Sequence, residues 1–282
     1  MTKQLGIIGF PIGHSLSPVF QQAALDHLKL DAIYSTWEID PGDLGSFIDG
    51  LRSPDIQGIN VTVPHKEAVL PLLDHVDEWA LQAGAVNTIV NRNGALYGYN
   101  TDGIGFIKGL RHNAPFELQN KTVLIIGAGG SARGVVRALA NESVGNIIIA
   151  NRTLSRAQSL STLSIGLGVP AQAISLDWQE LSLASVQSEL IVNCTSVGMA
   201  HTSEFGLSPL LLQQISPNSV VYDLVYNPIE TQLLKEAVRA GAAVISGIKM
   251  LVYQGAASFE LWFDRPAPVN VMLESADKAI QN

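Results

Sequence analysis

Gly127, Gly129 and Ala132 stand at the spacing G-x-G-x-x-A, the spacing of a turn that can receive a dinucleotide pyrophosphate. The first glycine permits a tight turn, and the second lets the backbone approach the anion. The small third residue lets helix and strand pack closely. The free N–H groups and dipole of the following helix then face the negative charge. Ala128, Gly130 and Ser131 complete the turn. The plain alternative is a glycine-rich connection that binds nothing. The context favours binding, because the β-branched run Val123 to Ile126 precedes the turn and a helical pattern, ARGVVRALAN, follows it. Further on comes Asn151-Arg152-Thr153-Leu154-Ser155-Arg156. An NAD site would carry an acid here for the ribose 2′-hydroxyl. Arg152 and Arg156 instead suit a 2′-phosphate, so NADP is expected over NAD. The competing reading is two solvated arginines at a helix start, a position the helix dipole disfavours.

A second set of reactive side chains lies in the first hundred residues. Ser15 and Ser17 follow the first strand, where open α/β sheets bind ligands, and two hydroxyls could hold a polyhydroxy molecule. Ser17 precedes Pro18 and equally suits a helix N-cap, whereas Ser15 has no such local role in view. In NVTVPHK (60–66), Ile59, Val61 and Val63 alternate with Asn60 and Thr62, as in a strand with two unlike faces. Pro64 is expected to open a helix that Pro71 interrupts, which puts Lys66 in a first turn where a cation opposes the dipole. A residue in a disfavoured place invites a functional explanation, against the common case of an exposed lysine. His65 reads as a surface or packing histidine. Asp102 precedes the helical pattern GIGFIKGLRHN and is either its N-cap or a carboxylate paired with a nearby cation. Asn87 lies in GAVNT, ahead of a hairpin marked by Asn93-Gly94. Gln254, taken alone, reads as a surface glutamine. Cys194 follows a strand with no base near it in sequence, so packing is expected rather than nucleophilic catalysis.

These side chains need elements to hold them. Strands are expected over Leu5 to Phe10, Ile33 to Ile39, Asn146 to Ala150, Ser188 to Asn193, Ser219 to Leu224 and Ala243 to Ser246. Helical patterns follow Pro18 and cover 43–52, 231–240 and 249–263. The alternation describes an α/β protein with a doubly wound parallel sheet. Residues 113–120, with Pro115, read as a linker. The 282 residues suit one large or two ordinary domains, and 47% hydrophobic with 15% charged residues supplies material for buried cores. A formal charge of −8 argues against nucleic acid and anionic membranes as partners. The single cysteine excludes an internal disulfide and a cysteine zinc cluster, which fits a reducing compartment. No secretory signal or membrane span is read in the chain, and a cytoplasmic protein is expected.

Taken together, Ser15-Leu-Ser17, NVTVPHK, GAVNT, NTDG, GAGGSARG, NRT, NCTSVGM, DLVYNP and GIKMLVYQGA closely resemble the shikimate dehydrogenase family. The resemblance implies two α/β domains with a cleft between them, the second a Rossmann-like NADP-binding domain. The expected division is 1–103 plus 248–282 for substrate and 104–247 for cofactor. It further implies reversible reduction of 3-dehydroshikimate to shikimate by hydride transfer, with no metal. Ser15, Ser17, Thr62, Lys66, Asn87, Asp102, Tyr226 and Gln254 would surround the substrate, Lys66 and Asp102 being the family's catalytic pair. Gly127 through Ser131, Asn151 through Arg156, Leu224 and Gly247 would contact NADP(H). The double serine and the NRT arginine favour a shikimate-specific NADP enzyme over quinate-using NAD relatives. The protein is expected as a monomer or homodimer, and an NADP-binding protein without enzymatic activity is the reading from a different class.

Overall fold

The computed structural model describes residues 2–113, 116–200 and 202–281. Ala114 and Pro115 of the expected linker fall outside them. The chain forms two compact units, Met1–Gly105 with Leu251–Asn282 and Phe106–Met250.

The first unit is built on a mixed six-stranded sheet in the order β2-β1-β3-β5-β6-β4. Its strands are β1 (Lys3–Gly9), β2 (Ala32–Glu38), β3 (Ile56–Val61), β4 (His75–Val76), β5 (Thr88–Arg92) and β6 (Ala95–Tyr99). Helices α1 (Ser17–His27), α2 (Leu44–Gly50) and α3 (Glu78–Ala83) connect them, and α4 starts at Asp102 and runs to Asn113. The β1, β2 and β3 pairings are parallel, whereas β5 runs antiparallel to β3 and β6. The hairpin between β5 and β6 turns at Asn93 and Gly94, both at positive φ (54° and 89°), as Asn-Gly in a two-residue hairpin requires. Ile8, Ile59, Val61, Val86, Ile89 and Leu96 form one apolar core with residues of α2. The expected unlike faces of β3 are therefore real. Ile59 and Val61 enter this core, while Asn60 on the other face is buried among polar groups.

The second unit carries an all-parallel sheet in the order β12-β11-β10-β7-β8-β9. Its strands are β7 (Thr122–Ile126), β8 (Asn146–Ala150), β9 (Ala171–Ile174), β10 (Leu190–Asn193), β11 (Val220–Asp223) and β12 (Ala243–Ser246). Between them lie α5 (Gly130–Asn141), α6 (Leu154–Gly166), α7 (Trp178–Gln187) and α8 (Gln232–Ala240). Counted within the unit, the order is that of a doubly wound Rossmann sheet, with its switch point between β7 and β10. The inner strands β7, β8, β10 and β11 are buried on both faces, so Val123 to Ile126 and Ile147 to Ala150 read as continuous apolar runs. After β12, α9 (Ile248–Phe263) and α10 (Val269–Gln281) close the chain, and α10 packs on α1. None of the described helices is long and apolar enough to cross a membrane.

One expected helix does not form. Residues 63–69 make turns, followed by a single 3₁₀ turn at Leu70–Leu72. The Val69 N–H reaches the His65 carbonyl, but the next bond, Leu70 to Glu67, already has the tighter i−3 spacing. Pro71 cannot donate to the Glu67 carbonyl and disfavours a helical Leu70, so the turn cannot propagate. The helix-dipole argument for Lys66 therefore falls away.

Candidate active site

Lys66 is 7% exposed and Asp102 is 3% exposed. Lys66 Nζ donates to Asp102 Oδ2 at 2.6 Å. A buried ion pair of this kind stays in place only if its remaining lone pairs are also satisfied. Asp102 Oδ1 accepts from Asn87 Nδ2 at 2.9 Å, so both carboxylate oxygens are held. The side chain of Asp102 has turned inward to Lys66 and Asn87 rather than capping α4. Asn100 does the local work instead, its Oδ1 accepting from the Asp102 N–H at 3.0 Å. Lys66 is thus no exposed lysine. His65 is a packing histidine, 1% exposed, with Nε2 at 2.8 Å from the Ile39 carbonyl.

The partners of Asn87 assign the orientation of its amide. Its Oδ1 accepts the Thr101 backbone N–H at 2.8 Å, which can only donate. Nδ2 must then face Asp102 and Gln254, whose Oε1 is at 3.1 Å. Gln254 is fixed the same way, because its Nε2 donates to the Leu251 carbonyl at 2.8 Å. Gln254 is 9% exposed, so the expectation of a surface glutamine is overturned. Its partner lies 167 residues away, which no local pattern reveals. Lys66, Asn87, Asp102 and Gln254 therefore form one hydrogen-bonded cluster.

The serine loop belongs to the same unit. Ser17 is the first residue of α1, and its side chain caps no N–H. It is buried and hydrogen-bonds the Tyr34 hydroxyl. Ser15 does have a local role after all, since its Oγ accepts the Ser17 N–H at 3.2 Å. Thr62 follows β3, half-buried, with its N–H on the Ile8 carbonyl. Asn60 Oδ1 accepts from the Tyr34 hydroxyl at 2.7 Å, so a buried polar chain runs from the serine loop through β3 toward Asn87. Burial among these groups raises the pKa of the Tyr34 phenol well above its usual value. Tyr34, Asn60, Thr88, Thr101 and Ser258 were missed in the sequence. The one signal available was the polar face of β3.

In the second unit, Gly127 has φ +107°, and a Cβ there would lie 3.0 Å from Thr195 Cγ2. The left-handed backbone favours glycine, and the contact leaves a Cβ little room. Gly129 is the N-cap of α5, and a Cβ there would meet nothing. The side of the turn from which a pyrophosphate would approach is therefore open. Ala132 is fully buried against the sheet. Asn151 Nδ2 donates to the Thr153 carbonyl at 2.9 Å, and Thr153 is the N-cap residue of α6. Arg152 and Arg156 are exposed, and neither α5 nor α6 has an acid in its first turn. Gly247 sits directly against the Leu224 carbonyl, where a Cβ would collide. Tyr226 lies half-buried in the loop after β11, in this second unit. The open turn, the helix starts without an acid in their first turns and the two guanidiniums fit a phosphorylated dinucleotide, which the sequence reading expected.

Behind this turn, Asp223 is fully buried at the end of β11. Its carboxylate accepts from Thr231 Oγ1 (2.6 Å), Asn193 Nδ2 (2.9 Å) and the Val225 N–H (3.0 Å). Burial outweighs these bonds and pushes its pKa up to about 6.

Residues 7–89 match the shikimate dehydrogenase substrate binding domain, residues 110–204 the shikimate / quinate 5-dehydrogenase model, and residues 247–276 the shikimate 5′-dehydrogenase C-terminal domain. The chain is 42% identical to the shikimate dehydrogenase (NADP(+)) of Geobacillus kaustophilus, covering all of both sequences. The chain belongs to the shikimate dehydrogenase family. It is 45% identical to the shikimate dehydrogenase (NADP(+)) of Moorella thermoacetica, over 96% of this chain and 91% of that one. Among solved structures, the shikimate 5-dehydrogenase of Thermus thermophilus, in complex with NADP(H) and shikimate, superimposes with a TM-score of 0.86. Its identity is 34%, over 98% of this chain and 99% of that one. The α/β class and the Rossmann-like second unit are those of the family.

Proposed function

We propose that the protein catalyses the reversible, NADP-linked reduction of 3-dehydroshikimate to shikimate. The first unit takes the substrate and the second the cofactor. The observation that carries this reading is the buried Lys66–Asp102 pair, braced by Asn87 and Gln254. Gly127 through Ser131 and the start of α5 would hold the pyrophosphate, and Asn151, Arg152, Thr153 and Arg156 the phosphorylated ribose. Leu224 and Gly247 would line the rest of the cofactor site. NADPH, when bound, supplies the hydride and carries the redox chemistry.

The chain's own part is to bind the ring, hold the reacting oxygen and handle one proton. The Lys66 ammonium is a compact donor that can polarise a carbonyl oxygen and give it a proton as the carbon is reduced. In the oxidative direction that proton returns from the hydroxyl. Asp102 holds Lys66 in place and accepts from a substrate hydroxyl. Ser15, Ser17 and Thr62 supply further hydroxyl groups for the substrate's polar substituents. The family relationship supports the substrate, and the pair of arginines supports NADP over NAD.

The test is the absorbance at 340 nm when the protein is mixed with shikimate and NADP, then with NAD, then with quinate and each dinucleotide. Shikimate with NADP is expected to be the best pair by a wide margin. A preference for quinate with NAD would replace this reading by that of a quinate-using relative, and no turnover with any pair would leave only a dinucleotide-binding protein.

A further inference from the structure

Thr88 is fully buried and lies one residue beyond Asn87, at the start of β5. Its hydroxyl donates to Asn87 Oδ1 at 3.0 Å and is 2.7 Å from Ser258 Oγ. It also accepts from Asn60 Nδ2 at 3.3 Å. Ser258 is equally buried and sits one turn after Gln254 on α9. With the Thr88 proton on Asn87, the Ser258 hydroxyl is the donor to Thr88; its Oγ also lies 3.0 Å from the Gln254 carbonyl and accepts from Asn60 Nδ2 at 2.9 Å. It lies 3.2 Å from Thr101 Oγ1. Two hydroxyls thus join β3, β5, the Thr101 loop and α9 directly behind the cluster that holds Asp102.

The chemistry of Asn87 gives this arrangement a purpose. An amide can turn over and exchange its oxygen for its NH₂ at little steric cost. In the observed orientation the NH₂ faces the Asp102 carboxylate. Turned over, the amide oxygen would face that carboxylate, acceptor against acceptor, and Asp102 would lose the donor that keeps Oδ2 directed at Lys66. The orientation is set on the oxygen side by the Thr101 N–H and by the hydroxyls of Thr88 (3.0 Å) and Thr101 (3.2 Å). Ser258 is within hydrogen-bonding distance of both hydroxyls.

We infer that Thr88 is a positioning residue for the reaction, its hydroxyl fixing the Asn87 amide with Ser258 as its support, so that Asp102 and Lys66 keep their geometry. This rests on the function proposed above. Thr88 reaches Asp102 only through Asn87.

Thr88→Val keeps the shape and deletes the hydroxyl, whereas Thr88→Ser keeps the hydroxyl and deletes a methyl. Loss of the hydroxyl is expected to lower kcat for shikimate oxidation about tenfold, the worth of one buried hydrogen bond. The affinity for NADP, measured by fluorescence titration, should stay at the wild-type value. Thr88→Ser should remain within about twofold of wild type in kcat. A role in packing alone predicts the opposite order, with the valine variant intact and the serine variant impaired. That order, equal impairment of both, or wild-type turnover in both overturns the inference. Should Thr88→Val fail to fold, Ser258→Ala is read in the same assay. A fall in kcat with NADP affinity kept supports the inference, and wild-type kcat overturns it. The wild-type assay comes first, because absence of shikimate turnover there removes the proposed function rather than the role of Thr88.

Discussion

Replacing Asp102 by leucine leaves the Lys66 ammonium inside the protein without its carboxylate. The side chains are 9% and 4% exposed, so neither partner recovers much hydration when the other is removed. Breaking a buried pair from one side costs about 3 to 5 kcal/mol, whereas removing both partners together is close to neutral. Asn87 Nδ2 keeps Gln254 Oε1 and Thr101 Oγ1 when the Asp102 carboxylate is gone. The double variant is therefore not left with an unsatisfied amide. Lys66→Met and Asp102→Leu alone should each lower Tm by about 6 to 12 °C for a loss of about 3 kcal/mol. The double variant should recover most of that loss, so the coupling energy, the two single losses less what the double still loses, is about 5 kcal/mol. Scanning calorimetry of the four proteins completes the cycle, with shikimate oxidation assayed on the same samples. Stability should return in the double variant while activity stays lost. Additive losses in Tm would refute the claim that the pair is a closed, desolvated unit.

Asp223 gives a pH prediction of definite sign. Its folded pKa, about 6, lies above the usual carboxylate value. The folded state therefore binds the proton more tightly than the unfolded one. The stability this contributes is complete below the unfolded pKa and is lost as pH rises through about 6, a change of about 3 kcal/mol. Denaturant unfolding between pH 4 and pH 7 should show this slope in the wild type and not in Asp223→Asn, and parallel curves for the two would contradict it. For the cofactor, Arg152→Ala should weaken NADP about tenfold or more while changing NAD little, as expected of a charge-assisted contact to a 2′-phosphate. Equal losses for both dinucleotides, measured by titration, would remove the 2′-phosphate argument.

Much of the fold was legible because its signals are local. Apolar runs marked the parallel strands, Asn93-Gly94 marked the hairpin, and glycine spacing marked the turn before α5. The dinucleotide turn was also readable as chemistry, since every group in it is near its neighbours in sequence. The environment of Lys66 was not. Its partner Asp102 lies 36 residues away, and Asn87 meets Gln254 across 167. Local reasoning left Asp102 open between a cap and an ion pair, left Ser17 open between a cap and a ligand contact, and put Gln254 on the surface, because a partner contributed by a distant element leaves no trace in local spacing. The helix expected at Lys66 failed for a readable reason, Pro71 following closely on Pro64, whose combined weight was underestimated. Thr88 and Ser258 gave no sign beyond their polarity, and only packing shows that they share one buried cluster.

The central claim is that Lys66 handles the proton at the substrate's reacting oxygen. Steady-state kinetics of Lys66→Ala with shikimate and NADP test it most directly. A large fall in kcat with a smaller change in KM is predicted, because the lost interaction is strongest in the transition state. Turnover near the wild-type rate would contradict the assignment.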